Sequence, residues 1–345
     1  MAKKIRVLVV DDSAAMRLLL TQILGSDSSI EVVGTAQDPF VAREKIKALN
    51  PDVLTLDVEM PRMDGLTFLE KLMRGHPMPV LMVSSLTQAS CEVTLQALAL
   101  GAVDYVAKPK VDTLAGIEAS SQEIVAKVKA AALARVVRAS TSSVPVKSAF
   151  SAVQLTHQIL AIGASTGGTE AIKAVLMGLP ANCPGIVIVQ HMPPGFTKSF
   201  ADRLDSHCAM SVKEAEDGDR VLPGHALLAP GGLHMAVRRS GAQVSVSVFD
   251  ADPVNLHRPS VDVLFNSCAD QMGKNAIGVI LTGMGCDGAM GLKRMRDAGS
   301  VTYAQSEETC VVYGMPKEAV QRGAVEHVMP LERISGALLD LRDAA

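Results

Sequence analysis

The chain has no tryptophan, only three tyrosines and seven phenylalanines, so aromatic residues fill 3% of its 345 positions. Its cores must be aliphatic, as in parallel sheets rich in Val, Ile and Leu. The shortage argues against a surface that stacks nucleic-acid bases. Positive charge is not in excess either. The 33 Lys and Arg residues face 36 Asp and Glu, a formal net charge of −3, which argues against a nucleic-acid partner. Six cysteines are scattered without a C-x-x-C pair, the pattern of a reducing compartment. No long apolar run opens the chain. The run beginning at Ile5 meets Asp11 and Asp12 within a few residues, too soon for a signal sequence or a membrane span. A cytoplasmic protein without membrane insertion is expected.

What is present is a folding composition: 48% hydrophobic and 20% charged residues. The length suits two domains joined by a linker. In the first third, short apolar runs at 5–10, 31–36, 53–57, 80–84 and 103–107 alternate with segments of helical spacing such as 14–24 and 89–100. Strand–helix alternation of this kind predicts a parallel sheet covered on both faces. From about Ala126 the texture turns to Ala, Ser and Val. Its first part extends a helix and the rest reads as a linker, with residues 123–152 assigned to it. About 25 flexible residues span roughly 28 Å, enough for one domain to fold back over the other.

A second domain is expected over 153–345. Strands are expected at 158–164, 185–190, 226–229, 234–237, 243–248 and 276–282, with a final strand at 300–305. Helices are expected after Gly167, after Phe196, across 260–272, after Gly288 and at 331–343.

In the first domain Asp11 and Asp12 end the first strand and Asp57 the third. Carboxyl ends of neighbouring parallel strands meet at one sheet edge. Each pair of carboxylates about 4 Å apart repels by roughly 4 kcal/mol at an effective dielectric of 20, and a hard cation such as Mg²⁺ relieves that. Ser84 ends the fourth strand, and Lys108 follows the fifth, where an ammonium can hold a phosphoryl oxygen. The set suits phosphoryl transfer to an aspartate. For each aspartate alone, helix capping is the competing role.

The segments DDS (11–13), TLDVEMPRMDG (55–65), VSS (83–85) and the Lys108–Pro109 pair resemble the receiver domain of response regulators, over residues 5–122. The resemblance implies a flavodoxin-like parallel sheet of order 2-1-3-4-5. It implies phosphorylation at Asp57 and Mg²⁺ held by Asp12, Asp57 and the backbone carbonyl of Glu59, with Asp11 assisting. Ser84 and Tyr105 would be the switch pair, and Lys108 would contact the phosphoryl group.

In the second domain, ILAIGASTGGTEA (159–171) reads as a buried strand, a glycine-rich turn and a helix start. Gly163 to Gly167 fits G-x-S-x-G, which exposes Ser165 on a sharp turn. The helix N-terminus favours developing negative charge. The same loop could cradle phosphate, but it lacks the Lys of a P-loop and the spacing of G-x-G-x-x-G. His191 leaves the next strand, IVIVQ, and is the natural base for a serine hydroxyl. Asp287 follows a third strand and can orient that histidine, or it can cap the helix after Gly288. The chain order Ser, His, Asp differs from the Ser, Asp, His of the α/β-hydrolases, so a different fold is expected.

The motifs GASTGG, QHMPPGFT and LTGMGCDGA closely resemble the CheB-type protein-glutamate methylesterases. The resemblance implies a doubly wound, mostly parallel α/β esterase domain with the triad Ser165, His191 and Asp287, and an oxyanion site at the backbone near Thr166 and Met284. No cofactor is implied for the esterase. Methyl-accepting chemoreceptors are implied as substrate, with glutamine deamidation as a second activity, and the histidine kinase CheA as phosphodonor.

Three rival readings carry less. A DNA-binding regulator needs a basic recognition helix, and no helix-turn-helix pattern is evident. A nucleotide scaffold would use GASTGG alone. A metal hydrolase is opposed by His207, His225, His234 and His257, which lack ligand spacing. Cys286, beside Asp287, has no cationic activator and reads as a small packing residue.

Overall fold

Buried aliphatic runs become the central strands in both halves of the chain. The computed structural model describes residues 3–85, 87–109, 114–134 and 158–340, in two compact units, Met1–Ser140 and Thr141–Ala345.

The first unit alternates β1 (Ile5–Val10), α1 (Ala14–Gly25), β2 (Ile30–Ala36), α2 (Pro39–Leu49), β3 (Val53–Asp57), α3 (Gly65–Gly75), β4 (Val80–Ser84), α4 (Gln88–Ala99), β5 (Asp104–Ala107) and α5 (Leu114–Leu133). The sheet has the order β2-β1-β3-β4-β5, all parallel. Every residue of β3 and β4 is buried, which requires cover on both faces. Caps set several helix starts. Ser13 accepts from the Met16 amide ahead of α1, and Asp38 accepts from Phe40 and Val41 ahead of α2, where Pro39 takes the first turn. The last helix runs through 123–133, so this part of the expected linker is helical. Most of the remainder, and the expected domain start at Val153, lie outside the described residues.

The second unit contains β6 (Ile159–Ala164), α6 (Gly168–Met177), β7 (Gly185–Gln190), α7 (Phe196–Asp205), β8 (Ser211–Glu214), β9 (His225–Leu228), β10 (His234–Ser240), β11 (Gln243–Phe249), α8 (Val261–Met272), β12 (Ala276–Ile280), α9 (Ala289–Asp297), β13 (Val301–Gln305), α10 (Met315–Gln321), β14 (His327–Met329) and α11 (Leu331–Asp340). Seven strands form one parallel sheet, β14-β13-β12-β6-β7-β9-β8, and β10 and β11 form an antiparallel hairpin. The strand expected to be last, β13, is followed by β14. The expected end of α11 at 341–343 lies outside the described residues.

Strand order places the functional edge. From β6 the chain builds outward through β7 to β9 and β8, then returns to the other side of β6 for β12 and β13. Connections leaving β6 and β12 therefore diverge, which opens a crevice at the carboxyl ends of the strands. The registers Ala164↔Gln190 and Gly163↔Ile280 bring the ends of β7, β6 and β12 side by side.

Candidate active site and acidic site

Ser165, His191 and Asp287 follow those three neighbouring strands. Ser165 and His191 come directly after the cross-strand partners Ala164 and Gln190, and the His191 amide still donates to the Ala164 carbonyl at 3.2 Å. Their backbones are thus about one strand spacing apart, roughly 4.8 Å. The loop after β12 closes against the serine. The Ser165 amide donates to the Thr282 carbonyl at 3.0 Å. A Cβ at Gly283 would sit 2.8 Å from the Ser165 Cβ, so glycine is needed for the approach. Gly167 turns the chain with a φ of +76° where a Cβ would meet Val311 at 2.6 Å.

His191 Nε2 and Asp287 Oδ2 are 2.8 Å apart, with 8% and 1% of their side chains exposed. With its proton on Nε2, the imidazole presents Nδ1 as acceptor. Nδ1 is buried and has no hydrogen-bond partner among the described residues. Among the described residues no hydrogen bond engages the Ser165 hydroxyl, so the serine–histidine bond is not formed here. Such bonds commonly tighten only when substrate is in place.

Asp287 does not cap α9, the competing role suggested by the sequence. It collects donors from another helix start. Its Oδ1 accepts from Asn255 Nδ2 at 2.8 Å, Ser260 Oγ at 2.8 Å and the Asp262 amide at 3.2 Å, and its Oδ2 also accepts from the Val261 amide at 2.6 Å. Burial disfavours its charge, but His191, Asn255 and Ser260 outweigh burial and hold the carboxyl well below the usual range. The positive end of α8 acts in the same direction.

Asn255, His257 and Ser260 were not singled out as site residues by sequence. The polar stretch just before an amphipathic helix was the available signal. His257 stacks on His191, ring centroids 3.7 Å apart and planes 15° from parallel. Gln190 was also missed; its Nε2 donates to the Ser165 carbonyl at 2.9 Å. Thr282 ties the edge together, donating to the Thr166 carbonyl at 3.0 Å while its amide donates to Gln305 Oε1 at 2.8 Å. Thr166 is buried. Met284 is half-buried, and its amide makes no hydrogen bond among the described residues.

In the first unit, ligand oxygens of Asp11, Asp12 and Asp57 lie within 4.8 Å of one another. Lys108 Nζ is 2.8 Å from Asp57 Oδ2 and 3.6 Å from Asp11 Oδ2. Burial and the Asp11 charge push Asp57 up to about 6, against the pull of Lys108. Burial likewise raises Asp11. Burial disfavours the Lys108 ammonium, but Asp57 and Asp11 more than offset this and raise its pKa. Asp11 Oδ2 makes no hydrogen bond although buried. A cluster of carboxylate oxygens, one of them buried with no partner among the described residues but the Lys108 ammonium at 3.6 Å, fits a hard divalent cation.

Ser84 is buried and its hydroxyl accepts from Thr94 Oγ1 at 2.9 Å. Tyr105 points inward, 2% exposed. The Glu59 carboxylate accepts from Ser90 Oγ at 2.8 Å, and the Glu59 amide reaches Asp57 Oδ1 at 3.4 Å.

A five-stranded sheet with an acidic edge, followed by a second sheet carrying serine, histidine and aspartate at adjoining strand ends, defines a response regulator with an α/β effector domain. The family described as response regulator receiver domain matches residues 7–117, and that described as CheB methylesterase matches 160–338. The chain belongs to the CheB methylesterase family.

It is 58% identical to a protein-glutamate methylesterase/protein-glutamine glutaminase of Geobacter metallireducens, covering 95% of this chain and 93% of that protein. It is 57% identical to the Salmonella typhimurium protein of the same description, over 97% of this chain and 96% of that protein. The crystal structure of the Thermotoga maritima CheB methylesterase catalytic domain matches with a TM-score of 0.52 and 42% identity, covering 53% of this chain and 98% of that one.

Proposed function

We propose that this chain hydrolyses glutamate methyl esters on methyl-accepting chemoreceptors and deamidates receptor glutamines, and that phosphorylation of Asp57 by the histidine kinase CheA raises its activity. The observation that carries the catalytic reading is the His191 imidazole, tied through Nε2 to an ionised Asp287, with an Nδ1 that has no hydrogen-bond partner among the described residues, on the strand end neighbouring that of Ser165.

Ser165 Oγ attacks the side-chain carbonyl carbon while His191 Nδ1 takes its proton. The backbone amides of Met284 and Thr166 donate to the oxygen that gains charge. The carbon–methoxy bond breaks, and the proton on His191 leaves with methanol. Water then attacks the acyl-serine, giving its proton to His191, and Ser165 departs as the hydroxyl. With a glutamine side chain the same steps release ammonia. Asp287 stabilises the imidazolium throughout.

In the first unit Asp57 accepts the phosphoryl group, and Lys108 holds one of its oxygens. Asp11, Asp12, Asp57 and the Glu59 carbonyl would hold Mg²⁺, which supplies charge neutralisation for the transfer. Ser84 and Tyr105 act as the switch pair. A cytoplasmic setting is supported by six free cysteines. No helix among the described residues is long and apolar enough to cross a membrane.

The test is methanol release from methylated receptor with and without a small phosphodonor. Ser165→Ala should lower the rate by several orders of magnitude, leaving the residual ~10³–10⁴-fold acceleration over water that triad deletions retain. Asp57→Ala should keep basal activity and lose stimulation. Full activity without the serine, or stimulation without the aspartate, would sink the respective half of the proposal.

A further inference from the structure

A turn that the mechanism leaves unused touches both members of the histidine–aspartate pair. Residues 254–257 close on themselves: the Val254 amide donates to the His257 carbonyl at 3.1 Å, and the His257 amide to the Val254 carbonyl at 2.9 Å. The two central residues, Asn255 and Leu256, have φ of 52° and 68°. Side chains resist this left-handed region, leucine more than asparagine. Leu256 is 90% exposed, so its own packing does not hold the turn in place. The turn is held by what Asn255 and His257 grip. Asn255 Nδ2 donates to Asp287 Oδ1 at 2.8 Å and to Asp262 Oδ2 at 2.7 Å. One residue beyond the tip, the His257 ring lies face to face on His191. Strained backbone of this kind persists where surrounding contacts over-determine it, and it clusters at functional sites.

The imidazole of His191 needs such a support. Among the described residues its only side-chain hydrogen bond is at Nε2, to Asp287. One bond fixes one atom of a ring whose rotation about Cβ–Cγ is soft. Nδ1, the atom that must face Ser165, has no partner to hold it. A flat ring stacked at 3.7 Å removes the remaining rotation.

We infer that His257 is a positioning residue for the esterase: its ring face fixes the plane of His191 so that Nδ1 can be directed at Ser165. This rests on the serine–histidine reading above. A misplacement of about 1 Å at a reacting group can lower the rate on the order of 100-fold. His257→Ala should therefore reduce kcat about 10- to 100-fold with KM unchanged, because the ring acts on His191 rather than on substrate. His257→Phe restores a flat face and should recover most of the loss. His257→Leu, bulky but not planar, should not.

The experiment measures kcat and KM for methanol release from methylated receptor by the full chain carrying Ala, Phe or Leu at 257, with thermal unfolding of each. If the Ala variant fails to fold, the Phe and Leu variants decide, with kcat for Phe expected to exceed that for Leu about tenfold. Equal kcat for these two, unchanged kcat in a folded Ala variant, or a rise in KM alone would overturn the inference. Ser165→Ala in the same assay separates the two levels. If it stays active, the serine mechanism itself fails; if it is dead while His257→Ala is unimpaired, only the role of His257 fails.

Discussion

At the scale of single residues, both candidate sites place charge where water is scarce and then neutralise it differently. Asp287 receives five donors and stays ionised. Asp57, 1% exposed, has one strong cationic partner and a like-charged neighbour, and is pushed up to about 6. An ordinary unfolded aspartate titrates near 3.8. Between these values the folded state binds more protons than the unfolded state, so stability falls as pH rises through that window. The penalty, fully present above about 6, is on the order of 3 kcal/mol at 1.36 kcal/mol per unit. Asp57→Asn removes it but also takes a carboxylate from Lys108, so a net gain of about 1–2 kcal/mol at pH 7 is expected without divalent cation. Denaturant unfolding across pH checks this: the gain should vanish below about pH 4, and magnesium should narrow it by stabilising the native protein. An Asn variant less stable than the parent at pH 7 would sink it. Asp57 and Asp287 were readable in the sequence because each follows a buried apolar run. Asn255, His257 and Ser260 were not, because they reach the pair from a turn with no Asn-Gly or similar signature and the helix start after it, across 27 to 32 positions of sequence in the case of Asp287.

Elements that are buried on both faces announce themselves; edges do not. The expected bounds of β1, β3, β4 and β7 match the structure residue for residue, since short runs dominated by Val, Ile and Leu have few other uses. The edge strands β8 and β14 were missed. β14 is three residues long with an exposed or half-buried pattern, and β8 alternates around charged residues, so neither carries the apolar run that marks a central strand. The helix α10 is short and begins in a Gly-Met-Pro sequence that reads as a break. Where β12 passes into its loop, element packing governs chemistry. A Cβ on Gly283 would lie 2.3 Å from Met315 Sδ and 2.8 Å from the Ser165 Cβ. Methionine can yield; the serine backbone can yield only by moving the nucleophile. Gly283→Ala should therefore lower kcat about 100-fold while destabilising the fold by about 1–3 kcal/mol. Methanol release and thermal unfolding read the two effects. A destabilised variant with unchanged kcat would show that Ser165 does not feel the loop.

At the scale of the molecule, the two units own separate cores. The principal cluster behind the esterase edge, from Ile159 and Val187 through Phe265 and Leu292 to Ala324, draws every member from the second unit. A domain with its own core folds alone, and the Thermotoga catalytic domain, 42% identical over 98% of its length, exists as a crystallised unit. A chain beginning at Thr141 should thus unfold cooperatively and release methanol from methylated receptor. It lacks Asp57, so a phosphodonor should leave its rate unchanged, whereas the full chain should respond. Circular dichroism melting and the methanol assay, run on both chains side by side, decide the matter. A fragment that stays unfolded would mean that the second core depends on the first unit, and a fragment still stimulated by phosphodonor would move the control site out of the receiver.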